Sequence, residues 1–180
     1  MEYQKLFSKG LQEISTQRLV INRVEESDYE DLEELYGDPS STEFDSSQII
    51  LSKNSALSNS LGSLLNLWIE GSFSRQIVVL GFRLKSDKKL IGYRLIRFFS
   101  NDSVYTGIKI NKRFRGIGLA TEGSIAIFNV LLKYGVTQIF TTVHSDNKAA
   151  LALDSKLSLS SVDATYYPVD GSIPHTERLK

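Results

Sequence analysis

The sequence predicts an α+β fold built on a mostly antiparallel sheet with one parallel crossover. Three strand-like runs, RQIVVLGFRL (75–84), KLIGYRLIRFF (89–99) and SVYTGIKI (103–110), are parted only by the turn formers SDK and SND. Turns that short join antiparallel neighbours. The third run leads into a long helical pattern and then a run rich in β-branched and aromatic residues, TQIFTTVHS (137–145). Strand, helix and strand in that order make a parallel crossover. A chain of 180 residues that is 41% hydrophobic and 10% aromatic can bury the core of one domain. That domain is expected to span 1–180, with residues 1–14 as an N-terminal extension.

The other elements follow in order. In RLVINRV (18–24), Leu19, Ile21 and Val24 come close to the alternation of a half-buried strand. Ser27-Asp28-Tyr29-Glu30 reads as a capping box. Tyr29, Leu32, Leu35 and Tyr36 continue at helical spacing until Gly37-Asp38-Pro39 stops the helix. Residues 40–63 are rich in serine and asparagine, a composition that favours a loosely helical segment over a strand. Leu61, Leu64, Leu65, Trp68 and Ile69 fit one helical face closed by Gly71, with Trp68 read as core. A helix over 116–134 is expected to bury Ile117, Ile125, Phe128, Leu131 and Leu132 and to end at Gly135. A short alanine- and leucine-rich helix (147–157) precedes a tail that reads as a hairpin around Pro168-Val169-Asp170-Gly171.

Composition excludes several kinds of function. Twenty-one basic and twenty-one acidic residues cancel, so no overall field draws nucleic acid or an anionic membrane. With no cysteine there is neither a disulfide nor a cysteine acyl intermediate. The two histidines, His144 and His175, lack any metal-ligand spacing, so no metal is expected. The charged start, MEYQKLFSKGLQEIS, and the want of a long apolar run predict a cytoplasmic protein with no membrane partner.

One stretch calls for a chemical explanation. NKRFRGIGLATEG (111–123) sets two arginines and two glycines between a strand and a helix. A turn there gathers unpaired N–H groups at the positive end of a helix dipole, and glycine lets a ligand approach the backbone, so a phosphate or pyrophosphate is a natural guest. The plainer alternative is a turn in which glycine relieves strain beside two solvated arginines. A Walker loop is excluded because Gly118 is followed by Leu119-Ala120-Thr121, and a dinucleotide fingerprint because the loop comes late, after an antiparallel meander.

These residues resemble a known family. Arg113 to Gly118 followed by Leu119-Ala120-Thr121-Glu122 is similar to the acetyl-coenzyme A pyrophosphate loop of the GCN5-related N-acetyltransferase (GNAT) superfamily. Thr16-Gln17-Arg18-Leu19 with Arg23 and Asp28 resembles the opening of its ribosomal-protein N-terminal acetyltransferase (RimJ/RimL-like) branch. Gly37-Asp38-Pro39, Leu90-Ile91-Gly92, Val143 to Ala149 and Asp170 to His175 extend the likeness over roughly 15–179. The resemblance implies a three-layer α/β/α domain in which two parallel strands, 104–110 and 138–144, splay apart. Pantetheine would pair with the backbone of Ile108, Lys109 and Ile110. Arg113, Arg115, Gly116, Ile117, Gly118, Leu119 and Ala120 would hold the pyrophosphate, and Asn147 would hydrogen-bond pantetheine or acceptor. A primary amine of a small molecule or peptide would attack acetyl-CoA directly, and a backbone N–H of the 103–110 strand would stabilise the oxyanion. A homodimer is compatible with this reading.

Departures fall at the proton-handling positions. The family's tyrosine seven residues after the asparagine is Asp154 here, and the branch's serine three residues after it is Ala150. Asn147 and Asp154 share a helix face. The closing Gly-Phe is Ser158-Leu159, and the glutamate two positions before the strand glycine is Tyr105. Asn147, Tyr105 and Asp154 are therefore the expected catalytic residues. Glu122 is read as complementing the helix dipole. His144 at the strand end has the solution chemistry of a base. Tyr166 and Tyr167 are candidates for the border of the acceptor site. An enzyme, a coenzyme A-binding module without chemistry and a nucleotide-binding or purely structural domain are the three readings this leaves.

Overall fold

Short apolar runs set the strands, and the computed structural model describes residues 13–41, 43–44, 57–70, 77–98, 100 and 102–159. Among these, β1 (Ile14–Ser15), β2 (Leu19–Arg23), β3 (Ile77–Leu84), β4 (Leu90–Phe98), β5 (Ser103–Ile110) and β6 (Gln138–Phe140) form one sheet in that spatial order. Every neighbouring pair is antiparallel except β5 and β6, which run parallel. Helices α1 (Tyr29–Gly37), α2 (Leu57–Glu70), α3 (Leu119–Lys133) and α4 (Lys148–Lys156) cover it. Two residues carry no periodic signal, so β1 escapes the sequence reading; it lies across the boundary drawn at residue 14. The expected tail hairpin, the cap at Gly71, Tyr166, Tyr167 and His175 lie outside the described residues.

The sheet is buried on both faces, which explains why β3 is apolar at consecutive positions. Val78, Leu80 and Phe82 pack with Ile127, Phe128 and Leu131 of α3, while Val79 packs with Leu32 and Leu35 of α1 and Leu61, Leu65 and Trp68 of α2. A fully buried leucine or isoleucine contributes about 1.5–3 kcal/mol. Coverage on two sides therefore supplies the driving force, and the three-layer α+β arrangement is the result.

Three local readings are corrected. The capping box stands at Glu25 and Asp28, where Glu25 N–H donates to Asp28 Oδ2 at 2.8 Å, and a 3-10 turn over Glu26–Asp28 precedes α1. Asp28 is drawn inward because the buried Arg83 guanidinium also donates to it. Next, α3 begins at Leu119, and Ile117, Ile125 and Leu132 are exposed. Its buried stripe runs instead through Leu119, Gly123, Ser124, Ile127, Phe128 and Leu131, because Gly123 lets the Phe82 ring come within 2.9 Å of where a Cβ would stand. Finally, the strand expected over 137–145 is confined to Gln138–Phe140, since its ladder with β5 ends at the pair Tyr105 and Phe140.

The end of α4 carries a local strain. Leu159 N–H donates to Asp154 C=O at 3.0 Å, closing a helix terminus that places Ser158 in the left-handed region with φ 60. A glycine would sit there without the Cβ penalty. Ser158→Gly is expected to raise stability by about 0.5–1 kcal/mol, measured as a higher urea midpoint; an unchanged or lower midpoint would refute the strain.

Candidate active site

The site begins where β5 loses its neighbour. Pairing with β6 covers only Ser103, Val104 and Tyr105, whereas pairing with β4 continues to Ile110. Asn111 N–H donates to Ile91 C=O on β4 at 2.8 Å. By the two-residue alternation of a strand, Lys109 turns its backbone toward β4, and Ile108 and Ile110 turn theirs toward the widening gap. Of the three residues expected to pair with a pantetheine arm, two are thus oriented for it and Lys109 is not.

The glycine turn closes one end of the gap. Lys112–Phe114 forms a 3-10 turn capped by Asn111, whose side chain accepts Arg113 N–H at 3.1 Å. Gly116 (φ 79) and Gly118 (φ 85) are both left-handed, a conformation that favours glycine. Nothing lies within 4 Å of a Cβ built on Gly116. The first N–H groups of α3, on Leu119, Ala120 and Thr121, have no carbonyl below them in the helix, and none meets another backbone acceptor among the described residues. Bare backbone, open space and the positive end of a 15-residue helix fit an anion.

The two loop arginines point elsewhere than the sequence reading put them. Arg115 Nε donates to Ile110 C=O at 2.8 Å, and its Nη1 to Ser40 Oγ at 3.3 Å. Arg113 Nη1 reaches Glu34 on α1 at 3.4 Å with a side chain 77% exposed, a long contact that leaves it free to swing. Glu34 also receives Lys89 Nζ at 2.7 Å and Asn111 Nδ2 at 3.0 Å, and these donors hold its carboxyl below the ordinary range.

Glu122 does more than complement the dipole. Its Oε1 accepts from the Thr16 hydroxyl at 2.5 Å and Arg18 N–H at 2.8 Å, and its Oε2 from Arg18 Nε at 2.7 Å. Burial opposes its ionisation, yet these donors prevail and keep its pKa below the ordinary 4.5. A depressed carboxylate contributes stability that is complete above its unfolded pKa and lost as pH falls through its folded one. Between roughly pH 5 and pH 3 the urea midpoint should therefore fall more steeply for the native chain than for Glu122→Gln; parallel slopes would contradict the ionised network.

The expected catalytic residues occupy two sides of the sheet. Asn147 caps α4, its Oδ1 accepting Ala150 N–H at 3.1 Å, so the amide NH2 remains as a donor. Asp154 lies one face-repeat further along α4. Tyr105 alternates with Val104 and Thr106 and so shares the α1/α2 side with Lys109, whose Nζ stands 4.6 Å over the Tyr36 ring. Exposed His144 accepts Asp146 N–H on Nδ1 at 3.2 Å, and Asp146 Oδ2 lies 3.8 Å from the same nitrogen.

Sequence reasoning passes over one residue here. Arg94 is 2% exposed beneath α3, donating from Nη1 to Thr106 Oγ1 at 2.9 Å and from Nη2 to Ser124 Oγ at 2.7 Å, with its Cζ 4.9 Å from the centre of the Phe128 ring. Burial pushes its pKa down to about 10, against the negative charge of Asp154. Its buried Nε has no hydrogen-bond partner among the described residues. The strand carries two arginines, buried Arg94 and exposed Arg97, and nothing in its pattern tells them apart; only the place of Arg94 opposite Ser124 gives it away.

Comparison with known proteins identifies the fold and the family. The model of the acetyltransferase (GNAT) domain matches residues 18–159. An acetyltransferase of the GNAT family from Bacillus anthracis superposes with a TM-score of 0.68 at 16% identity, over 83% of this chain and 84% of that one. RimL, a ribosomal-protein alpha-N-acetyltransferase in complex with coenzyme A, gives 0.69 at 13% identity over 83% and 84%. A microcin self-immunity acetyltransferase in complex with acetyl-CoA and AMP gives 0.68 at 14% over 80% and 79%. At such identities the likeness concerns the fold. No curated protein matches the sequence.

Proposed function

The chain belongs to the acetyltransferase (GNAT) domain family, and from that premise we propose that it transfers an acetyl group from acetyl-CoA to a primary amine by direct attack, without an acyl-enzyme. The observation that carries this reading is the bare, left-handed Gly116 and Gly118 turn at the start of α3, beside the gap between β5 and β6. The N–H groups of Gly116 to Ala120 would hold the pyrophosphate, and Ile108 and Ile110 would pair with the pantetheine amides. Asn147 would donate its NH2 to a carbonyl there. Bound acetyl-CoA supplies an activated thioester whose thiol, with a pKa of about 8.5 for an unperturbed thiol, leaves readily.

Proton handling would differ from that of the wider family. A carboxylate within reach of a buried guanidinium is worth more charged than neutral. Asp154 facing the charge of Arg94 is therefore ill suited to donating a proton to the thiolate, and the proton released by the attacking amine would leave through water. The acceptor is a small-molecule or peptide amine, and protein N-termini are the class handled by the ribosomal-protein branch that the opening motif resembles. It would approach from the α1/α2 side, where Phe44 lies 5.5 Å from the His144 ring.

Coenzyme A at a hundredfold excess over its dissociation constant should add about 2.7 kcal/mol of stability, read as a thermal shift. Arg113→Glu should shrink that shift while leaving the unliganded melting temperature nearly unchanged, because the residue is exposed and only loosely paired. No shift with the native chain would remove the cofactor reading. A shift without thiol release on any of a panel of amines would leave a binding module, the reading that Ala150 in place of the branch's serine favours.

A further inference from the structure

Behind the glycine turn stands a residue that cofactor contacts do not require. Arg18 belongs to the tight connection between β1 and β2, where Thr16 N–H donates to Leu19 C=O at 2.9 Å and Leu19 N–H returns to Thr16 Oγ1 at 2.9 Å. Its guanidinium spans two acceptors, Glu122 Oε2 at 2.7 Å and the Ile117 carbonyl at 2.9 Å. Its own N–H and the Thr16 hydroxyl fix the other oxygen of Glu122 at 2.8 and 2.5 Å. Arg18 Nη2 is also the atom nearest to a Cβ built on Gly118, at 3.4 Å.

This arrangement decides which way one peptide unit faces. In a trans peptide the C=O and the following N–H point in opposite directions. Drawing the Ile117 carbonyl onto Arg18 therefore turns Gly118 N–H to the other side of the loop. Were that unit reversed, a carbonyl dipole would face an anion at the start of α3, and one donor would be lost. Reversing the unit would change φ of Gly118, and glycine tolerates either sign, so something outside the loop has to choose the arrangement seen at φ 85.

We propose that Arg18 is a positioning residue for coenzyme A: held by Glu122 and Thr16, it fixes the Ile117–Gly118 peptide so that Gly118 N–H faces the pyrophosphate. The inference rests on the acetyl-CoA reading of the loop and adds to it a determinant roughly a hundred residues away in sequence. A pair with a side chain 43% exposed adds little to global stability, so its loss should register in binding before folding.

The test is calorimetric titration of coenzyme A into the native chain, Arg18→Met, Arg18→Lys and Glu122→Gln, together with acetyl-transfer kinetics and the 15N-resolved amide signal of Gly118. Arg18→Met should raise the dissociation constant by about tenfold or more, equivalent to about 1.4 kcal/mol, with KM rising in step and kcat at saturation nearly unchanged. Lysine has no fork to span both acceptors, so Arg18→Lys should fall between. Coenzyme A should move the Gly118 amide signal in the native chain and leave it nearly still in Arg18→Met. Should Arg18→Met fail to fold, Arg18→Lys decides by the same criteria. Native-like affinity in both Arg18 variants, with the native chain binding, overturns the positioning role alone. No binding by the native chain overturns the cofactor reading and the positioning role with it.

Discussion

Gly92→Ala is expected to destabilise the protein by about 3 kcal/mol or more, at the upper end of what overpacking costs. A Cβ on Gly92 would stand 2.3 Å from Lys109 O, 2.8 Å from Ile110 Cδ1 and 2.9 Å from Ile110 Cα. Two of those three atoms are backbone. They cannot withdraw without opening the β4–β5 ladder at its Gly92 and Ile110 pair. That ladder also aims Ile108 and Ile110 at the gap, so coenzyme A affinity should fall as well. Gly107→Ala is the control, because nothing lies within 4 Å of its Cβ. Urea unfolding of the two variants checks the result, and equal midpoints for Gly92→Ala and the native chain would show that the strands part more easily than their geometry implies.

Arg94→Met should cost a similar amount, about 3 kcal/mol, for an electrostatic reason. The guanidinium is the donor for Thr106 and Ser124 and the counter-charge for Asp154. Removing the buried guanidinium leaves the buried Thr106 and Ser124 hydroxyls without their donor and half-buried Asp154 without its counter-charge. Arg94→Met combined with Asp154→Leu should therefore be less damaging than the sum of the single changes, with a coupling of about 1–3 kcal/mol. A double-mutant cycle in urea measures it. Strict additivity would mean that Asp154 does not serve as the counter-ion.

Much of this architecture is legible in local pattern. The meander is read correctly because each strand is a continuous apolar run and each turn is short, and Gly135 and Asn147 mark helix ends by the chemistry of caps. What escapes is whatever depends on residues far apart in sequence. Arg18 and Glu122 are separated by 104 positions, and each has an adequate local explanation by itself, one as a strand-start cation and the other as a first-turn carboxylate. The buried stripe of α3 is misread for a related reason. Periodicity counts large apolar side chains, whereas Gly123 and Ser124 are buried because Phe82 and Arg94 come up against them. The loop arginines are placed by charge alone in the sequence, but a carbonyl and a carboxylate on neighbouring segments claim them in the fold.

The early end of the β5–β6 ladder has a consequence for the protein without ligand. From Thr106 onward β5, the strand next to the last in the sheet, carries an edge with no ladder partner on the β6 side among the described residues. Arg115 blunts the far end by occupying the Ile110 carbonyl, but Ile108 stays available as a template for any extended peptide. A pantetheine arm would act as a surrogate strand there, so coenzyme A in the buffer should protect the purified protein against self-association as well as against heat.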